Sequence, residues 1–197
     1  MTAAKSKPAK PARPDTVERK HLTPGESARL IDAAGKAGRN GVRDRALVMV
    51  AYYHGLRASE AVGLEWQDID WTTESIHIAR LKHGLAGTHP LQGVELRALR
   101  ALHKERDRPT SGHMFVSERG EPLSVDMFAR IVQRAGMAAG IGLHVHPHML
   151  RHACGFYLAN KGTDTRTIQA YLGHSQISST VIYTQLSSTR FRGLFKD

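Results

Sequence analysis

Apolar residues along the chain alternate between helical and strand-like spacing. The first helical pattern starts after Thr23, where Pro24 and Glu26 complete a capping box and Leu30 and Ile31 supply an apolar side. The next helix, at about 42–54, is apolar around much of its surface, so we expect it to be central, and Gly55 ends it.

Period-two alternation then replaces the helical pattern. Ile76 and Ile78 alternate within a predicted strand at 75–79, next to another at 68–71. A glycine-bearing turn at 82–88 precedes a return strand at 89–91 and a helix at 92–106. Phe115 and Val116 form a short extended piece. The later helices are expected from Ser124 to about 139, at 148–160 after Pro147, from Thr163 or Asp164 to Leu172, and around Tyr183. The predicted fold class is mainly α with a small antiparallel β-sheet, α+β.

Composition narrows the class of partner. The 197 residues are 41% hydrophobic, enough for an ordinary core, and carry a formal net charge of +10. This charge favours a polyanion, first nucleic acid and then a membrane surface. No apolar run is long enough for a membrane span, and no signal peptide opens the chain. Cys154 is the only cysteine, which excludes an intrachain disulfide and fits a reducing cytoplasm.

Two arginines, two histidines and a tyrosine carry the candidate chemistry. Arg57 and Arg151 can each hold phosphate oxygens with a bidentate fork. His148 shares a helix face with Arg151. His174 follows a glycine that lets the backbone approach a ligand. Tyr183 has a phenolic oxygen, although a free tyrosine is a weak nucleophile at neutral pH and needs activation.

Each of these features also has a structural interpretation. Arg57 alone could pair with Glu60 or Asp68, and each tyrosine could be a core aromatic residue. The histidines could form an exposed polar face. A metal site is a further alternative, because His144, His146 and His148 alternate and His148 and His152 have ligand spacing. However, no nearby acid supplies the Glu of a His-Glu-x-x-His site, and the sequence has no cysteine ligand set.

Taken together, the motifs resemble the catalytic domain of the tyrosine recombinases, or phage integrases, and within them the short invertases that switch fimbrial genes. The resemblance runs from about Leu22 to the end. It rests on HGLRASE at 54–60, RLKHG at 80–84, THPL at 88–91, HPHMLRHACGF at 146–156, DTRTIQAYLGH at 164–174 and TVIYT at 180–184.

The resemblance implies a role for each site residue. Tyr183 is the nucleophile that forms a 3′-phosphotyrosyl link. Arg57, Arg151 and His174 stabilise the charge. His148 assists proton transfer from the tyrosine, and Lys82 protonates the leaving 5′-oxygen. Glu60 orients Arg57. It implies no cofactor and no metal.

The resemblance also implies partners and organisation. By composition, residues 1–20 are expected to be a flexible basic tail, either simply solvated or gripping the DNA backbone, because basic residues alternate there with prolines and no apolar residues can pack. The resemblance implies that 21–197 form the catalytic domain, without a separate core-binding domain. The implied partners are double-stranded DNA, a homotetramer on paired sites and DNA-bending accessory proteins, with a cytoplasmic, nucleoid-associated location. Phe191, Leu194 and Phe195 are expected to dock on an adjacent subunit, or alternatively on their own core.

Two other functions remain open from the sequence. One is a DNA-binding regulator of the same fold whose chemistry is silent. The other is a metal-dependent phosphodiesterase built on the histidines. Topoisomerase activity of type IB is chemically close to the recombinase reaction and is expected at most as a side reaction.

Overall fold

The first helix begins where its capping residues predict. In the computed structural model, which describes residues 19–80, 86–105 and 112–185, the Thr23 hydroxyl accepts from the Glu26 amide at 3.2 Å. The Glu26 carboxylate accepts from the Thr23 amide at 2.8 Å, and Pro24 occupies the first turn. Leu30 and Ile31 are buried, as the apolar spacing predicts. Arg19, just before this helix, forms an ion pair with Glu26 at 2.6 Å.

Eight α-helices and three strands occupy the described residues. The helices are α1 (Pro24–Ala34), α2 (Gly41–Tyr53), α3 (Ala58–Val62), α4 (Gly93–Glu105), α5 (Val125–Ala138), α6 (Pro147–Asn160), α7 (Thr165–Leu172) and α8 (Ser178–Gln185). The strands are β1 (Ile69–Asp70), β2 (Ser75–Ile78) and β3 (Gly87–Pro90), in one antiparallel sheet of order β1-β2-β3. The predicted fold class is therefore confirmed.

Helix α2 is the centre of the main core. Residues 46–52 are all buried, and the helix packs against α1, α4 and α6. A helix that is apolar on all sides is stable only when other elements cover it on all sides. The prediction that this helix is central is confirmed.

The predicted bounds of all three strands are wrong by one or two residues at one end or both. The return strand begins at Gly87 rather than His89, because Gly87 and Thr88 already pair with Ile78 and His77. The first strand is only Ile69–Asp70. Asp68 belongs to a 3₁₀ turn in which its carboxylate accepts from the Glu65 amide at 2.8 Å, so it cannot extend the strand.

A smaller core joins α6, α7 and α8. Its buried members are Cys154, Ala159, Ile168, Leu172 and Tyr183. Asp164, rather than Thr163, caps α7, because its carboxylate accepts from the amides of Arg166 and Thr167 at 2.9 and 3.0 Å. The three helices therefore pack on one another and hold Tyr183 beside α6.

Some predictions fall outside the described residues. These are residues 1–18 of the predicted tail, Lys82, and the segment after Gln185 with Phe191, Leu194 and Phe195. Within the described ranges, none of the helices combines the length and the apolar character needed to cross a membrane.

Candidate active site

The site is built around Glu60, a buried carboxylate on α3. Arg57 caps that helix, and its amide and guanidinium donate to the two Glu60 oxygens at 2.9 and 2.7 Å. The Arg57 side chain remains 29% exposed, so it reaches the surface while its hydrogen bonds to Glu60 hold it in place. Burial alone would raise the pKa of Glu60, but the hydrogen bonds from Arg57 and the charge of Arg80 hold that pKa below its usual value.

A left-handed turn carries the chain from α2 to Arg57. Gly55 has φ 56°, a conformation that other residues rarely adopt. A Cβ at Gly55 would also collide with the Leu172 side chain and lie 3.2 Å from Cys154 Sγ. Glycine at this position therefore lets the start of α3 approach α6 and α7.

Arg151, on α6, lies under this turn and is 1% exposed. Its guanidinium donates to the carbonyls of Gly55 at 2.6 Å and Leu172 at 2.8 Å, and lies 3.9 Å from Glu60. Burial, followed by the positive charges of Arg57 and Arg80, lowers the pKa of Arg151 to about 10, so it stays charged at neutral pH. The structure thus brings together both arginines predicted from the sequence.

Arg80 is a third guanidinium in the site, to which the sequence analysis assigned no role. It donates to Glu60 at 2.9 Å and to the carbonyls of His54 and Tyr171, with its side chain 1% exposed. A signal for it exists in the sequence. Ile76, Ile78 and Arg80 alternate on one face, so Arg80 continues the buried face of β2, and a buried charge requires a partner.

Buried imidazoles lie behind Arg80. His54 Nδ1 and His89 Nδ1 are 3.2 Å apart, and the His89 ring stacks on Tyr171 at 4.0 Å. His54 Nε2 is 2.9 Å from Glu95 Oε1, within ion-pair distance although the two atoms are not aligned as a hydrogen bond. Burial and then the charges of His54 and Arg80 lower the pKa of His89 to about 3, so it is neutral. These side chains fix the inner wall of the site.

His174 follows the left-handed C-cap of α7. Gly173 has φ 65°, and a Cβ there would lie 2.6 Å from Arg80 Cγ, so only glycine fits. His174 Nδ1 is 2.8 Å from the buried Thr180 hydroxyl. If Thr180 donates, the Nε2 of His174 carries the proton and can donate to a ligand. Burial, and then Arg151, Arg57 and Arg80, lower the pKa of His174 to about 4.

Tyr183 lies on α8, 2% exposed, with its ring against α6. A Cβ at Gly155 would lie 2.7 Å from two ring carbons of Tyr183, so this glycine makes room for the ring. The Tyr183 hydroxyl is 3.0 Å from His152 Nδ1. Burial raises the pKa of Tyr183 to about 12, against a lowering by Arg151, so the phenol is protonated at neutral pH.

His148 lies one turn before His152 on α6. Its ring packs edge-on against His152, with centroids 4.4 Å apart. His148 as a whole is exposed, yet partial burial of the ring, then Arg151, lowers its pKa. Across the described ranges, no cluster of three or more histidine, cysteine or acidic side chains could hold a metal ion, so the metal alternative gains no support there.

The described residues of the predicted site therefore lie close together in the fold. Arg57, Arg151 and Glu60 are in direct or ion-pair contact, while His174 and Tyr183 stack at 6.2 Å with nearly parallel rings. Lys82 lies outside the described residues. The arrangement offers fixed positive charge, neutral imidazoles and one phenol, a combination suited to attack on a phosphodiester.

Known proteins resemble this chain over most of its length. Residues 20–190 match the group described as the Phage integrase family. The chain is 42% identical over 184 residues to the type 1 fimbriae regulatory protein FimB of Escherichia coli strain K12, covering 92% of each.

Solved structures share the fold. The chain superposes on the crystal structure of XerA recombinase with a TM-score of 0.78 and 29% identity, covering 89% of this chain and 63% of XerA, which is less than two thirds of its length. It superposes on XerH site-specific recombinase bound to its difH substrate with a TM-score of 0.74 at 23% identity, covering 85% of this chain and 50% of XerH. The latter likeness shows the fold alone.

Proposed function

Because this chain belongs to the phage integrase family of tyrosine recombinases, we propose that it cuts and rejoins DNA at specific sites with Tyr183 as its nucleophile. One observation carries the assignment to these residues. Arg57 and Arg151 are held against the same buried Glu60, and His174 lies beside Tyr183. This constellation supports phosphoryl transfer better than simple DNA binding, which needs no buried phenol.

The proposed reaction is an in-line displacement at phosphorus. The Tyr183 oxygen forms a bond to the scissile phosphorus, the bond to the 5′-oxygen breaks, and a 3′-phosphotyrosyl link results. Arg57, Arg151 and His174 stabilise the negative charge of the five-coordinate phosphorus through donors that are already in place. Since Tyr183 is 2% exposed in the free chain, the phenol has to be uncovered before it reaches DNA.

Proton transfers complete the proposed mechanism. Lys82 protonates the leaving 5′-oxygen, and His148 assists removal of the phenolic proton. The second of these roles is supported by the place of His148 on α6, three residues before Arg151. The covalent link conserves the phosphodiester bond energy, so rejoining to a second strand needs no ATP.

We propose double-stranded DNA at the nucleoid as the substrate, in keeping with the net charge of +10. Four copies would pair two sites, with accessory proteins bending the DNA, and inversion or integration of a segment would be the product. Phe191, Leu194 and Phe195 remain our candidates for the contact between adjacent copies. Pairing of this kind would connect the position of α8 to assembly.

Trapping on a suicide DNA substrate tests the nucleophile. The full chain is incubated with nicked DNA that loses its leaving strand, in EDTA and without ATP, and denaturing gels score the adduct. We expect an adduct with the wild-type protein and none with Tyr183→Phe, while DNA affinity stays within about twofold because only one hydroxyl is lost.

Tyr171→Phe provides the matched control. It also removes one hydroxyl, which donates to the Tyr53 carbonyl at 3.0 Å, and it should still form the adduct. A persistent adduct with Tyr183→Phe would assign the nucleophile elsewhere. No adduct with any protein would favour a regulator with silent chemistry, and activity lost in EDTA but restored by zinc would favour a metal enzyme.

A further inference from the structure

The Tyr183 hydroxyl makes its hydrogen bond, among the residues described, to the imidazole that directly follows the buried arginine of α6. His152 Nδ1 is 3.0 Å from the phenolic oxygen, whereas His148 makes no described contact with Tyr183. A group that abstracts a proton has to lie within hydrogen-bond distance of it. This geometry selects His152 over His148 as the immediate neighbour of the reacting atom.

We propose that His152 is the catalytic residue that takes the proton from Tyr183, with His148 positioned between it and solvent. The inference rests on the proposed function, in which Tyr183 attacks DNA. In the acceptor tautomer, His152 carries its proton on Nε2, and the Nδ1 lone pair faces the phenol. As the phenolic O–H bond breaks, an N–H bond forms at Nδ1, the phenolic oxygen bonds to phosphorus, and the 5′-oxygen leaves with its electron pair.

A cavity gives the proton an exit. It has a volume of about 350 Å³, and its lining includes His148 and His152 together with Arg19, Lys20, His144 and His146. His152 is partly exposed toward it, while Tyr183 is sealed beneath. The imidazole therefore lies between a buried phenol and this cavity, the placement that a proton acceptor requires.

The surroundings keep His152 able to accept. Burial, followed by neighbouring positive charge, lowers its pKa to about 4, so it is neutral from pH 6 to 8. Titratable or charged groups face it from four elements. His148 and Arg151 lie on α6, and Tyr183 lies on α8. His146 lies in the segment before α6, and His21 in the segment before α1. Its base form is thus available throughout the neutral range.

The pH dependence of a single turnover distinguishes a proton acceptor from a positioning group. His152→Asn keeps a polar group near Nδ1 but cannot take a proton. On the suicide substrate at pH 7 we expect adduct formation to slow about 100-fold, within the range of general acid–base catalysis. The wild-type rate should be nearly flat from pH 6 to 8. The variant rate should rise about tenfold per pH unit, as hydroxide replaces the imidazole.

Chemical rescue supplies a second test. His152→Ala opens space next to the 350 Å³ cavity, and free imidazole should restore adduct formation about tenfold, in proportion to its neutral fraction. His77→Asn is the matched control: this histidine is exposed on β2 and is not part of the cavity lining, so the rate of the variant should equal that of the wild type. Gel shift and thermal unfolding verify that each variant binds DNA and folds.

A measurement on the free protein does not require a variant of His152. Imidazole ¹⁵N shifts should report the Nε2–H tautomer with an accepting Nδ1, and this signature should be lost in Tyr183→Phe. The proposal is overturned if His152→Asn reacts at the wild-type rate, if it is slow with an unchanged flat profile, or if His152 carries its proton on Nδ1. In all three cases the wild-type adduct and its loss in Tyr183→Phe would leave the proposed function intact.

Discussion

Replacing Glu60 by glutamine removes the negative charge that the buried arginines share while preserving the shape of the side chain. Glu60 is 5% exposed and accepts from Arg57 at 2.7 Å and Arg80 at 2.9 Å, with Arg151 at 3.9 Å. The amide of Glu60→Gln can accept on one side only, and its NH₂ group faces a guanidinium. Two nearly inaccessible positive charges would then lack a counter-charge.

The expected loss is about 3 kcal/mol of unfolding free energy. Removing one partner of a buried ion pair costs about 3–5 kcal/mol, because the other charge is left uncompensated. The lower end applies here, since Arg80 and Arg151 also donate to backbone carbonyls that the variant keeps. A loss of this size is a large fraction of the roughly 5–15 kcal/mol that stabilises a typical domain.

The loss should depend on pH with a definite sign. The pKa of Glu60 is lower in the folded chain than its ordinary value, mainly through Arg57 and Arg80, which outweigh the effect of burial. Its stabilising contribution is therefore complete above the unfolded pKa, about 4.3, and disappears as the pH falls through the folded pKa. The difference between wild type and Glu60→Gln should be constant from pH 7 to 5.5 and shrink below about pH 4.

Urea unfolding monitored by circular dichroism at pH 7, 5.5 and 3.5 measures this difference. Asp32→Asn is the control, because the Asp32–Arg45 pair is 3.7 Å apart and both side chains are 44% or more exposed. An exposed pair contributes less than about 1 kcal/mol. A Glu60→Gln loss below about 1 kcal/mol, or an equal loss at all three pH values, would refute the claim that charge is what Glu60 contributes.

Two further substitutions test the contacts of α8. Gly155→Ala places a methyl group 2.7 Å from the Tyr183 ring, so it should lower the unfolding free energy in urea by about 1–3 kcal/mol and slow adduct formation. The control Gly25→Ala, with nothing within 4 Å, should lower it by nothing. Equal stability of the two variants would mean that the ring has room for the methyl group. Thr180→Val removes the hydroxyl partner of His174 and should slow adduct formation about tenfold, with Thr180→Ser near the wild-type rate. Equal rates for Val and Ser would show that this hydroxyl does not set the tautomer.

Local signals in the sequence predict most of the fold. The Thr23 capping box and the central position of α2 are confirmed, since caps and apolar spacing act over a few residues. The strand bounds were less accurate. Carboxylates such as Asp68 and Asp70 bond nearby amides and so compete with strand pairing, an effect that alternation of Ile76 and Ile78 does not report.

The polar contacts of the site could not be predicted in the same way. Arg80 is hydrogen-bonded to Glu60 and to the Tyr171 carbonyl, which lie 20 and 91 residues away in the sequence. The hydrogen bond between His152 and Tyr183 joins residues that are 31 apart. Periodicity marks Arg80 as buried but does not name its partner. His152 lies one turn after His148, so the sequence alone allowed a metal-ligand interpretation of the pair, and only the packing of α8 on α6 gives His152 a phenol to contact.

The electrostatics of the free site explain how the same residues can serve both binding and proton transfer. Arg57, Arg80 and Arg151 face one carboxylate, so the site carries surplus positive charge, and this charge, together with burial, keeps His174 and His152 neutral. A phosphodiester entering the site would supply the missing negative charge and raise the pKa of both imidazoles. In the proposed reaction, His152 would thus become a stronger base when Tyr183 loses its proton. Binding of the substrate anion and activation of the nucleophile would then be coupled, because the same negative charge that is bound by the arginines raises the pKa of His152.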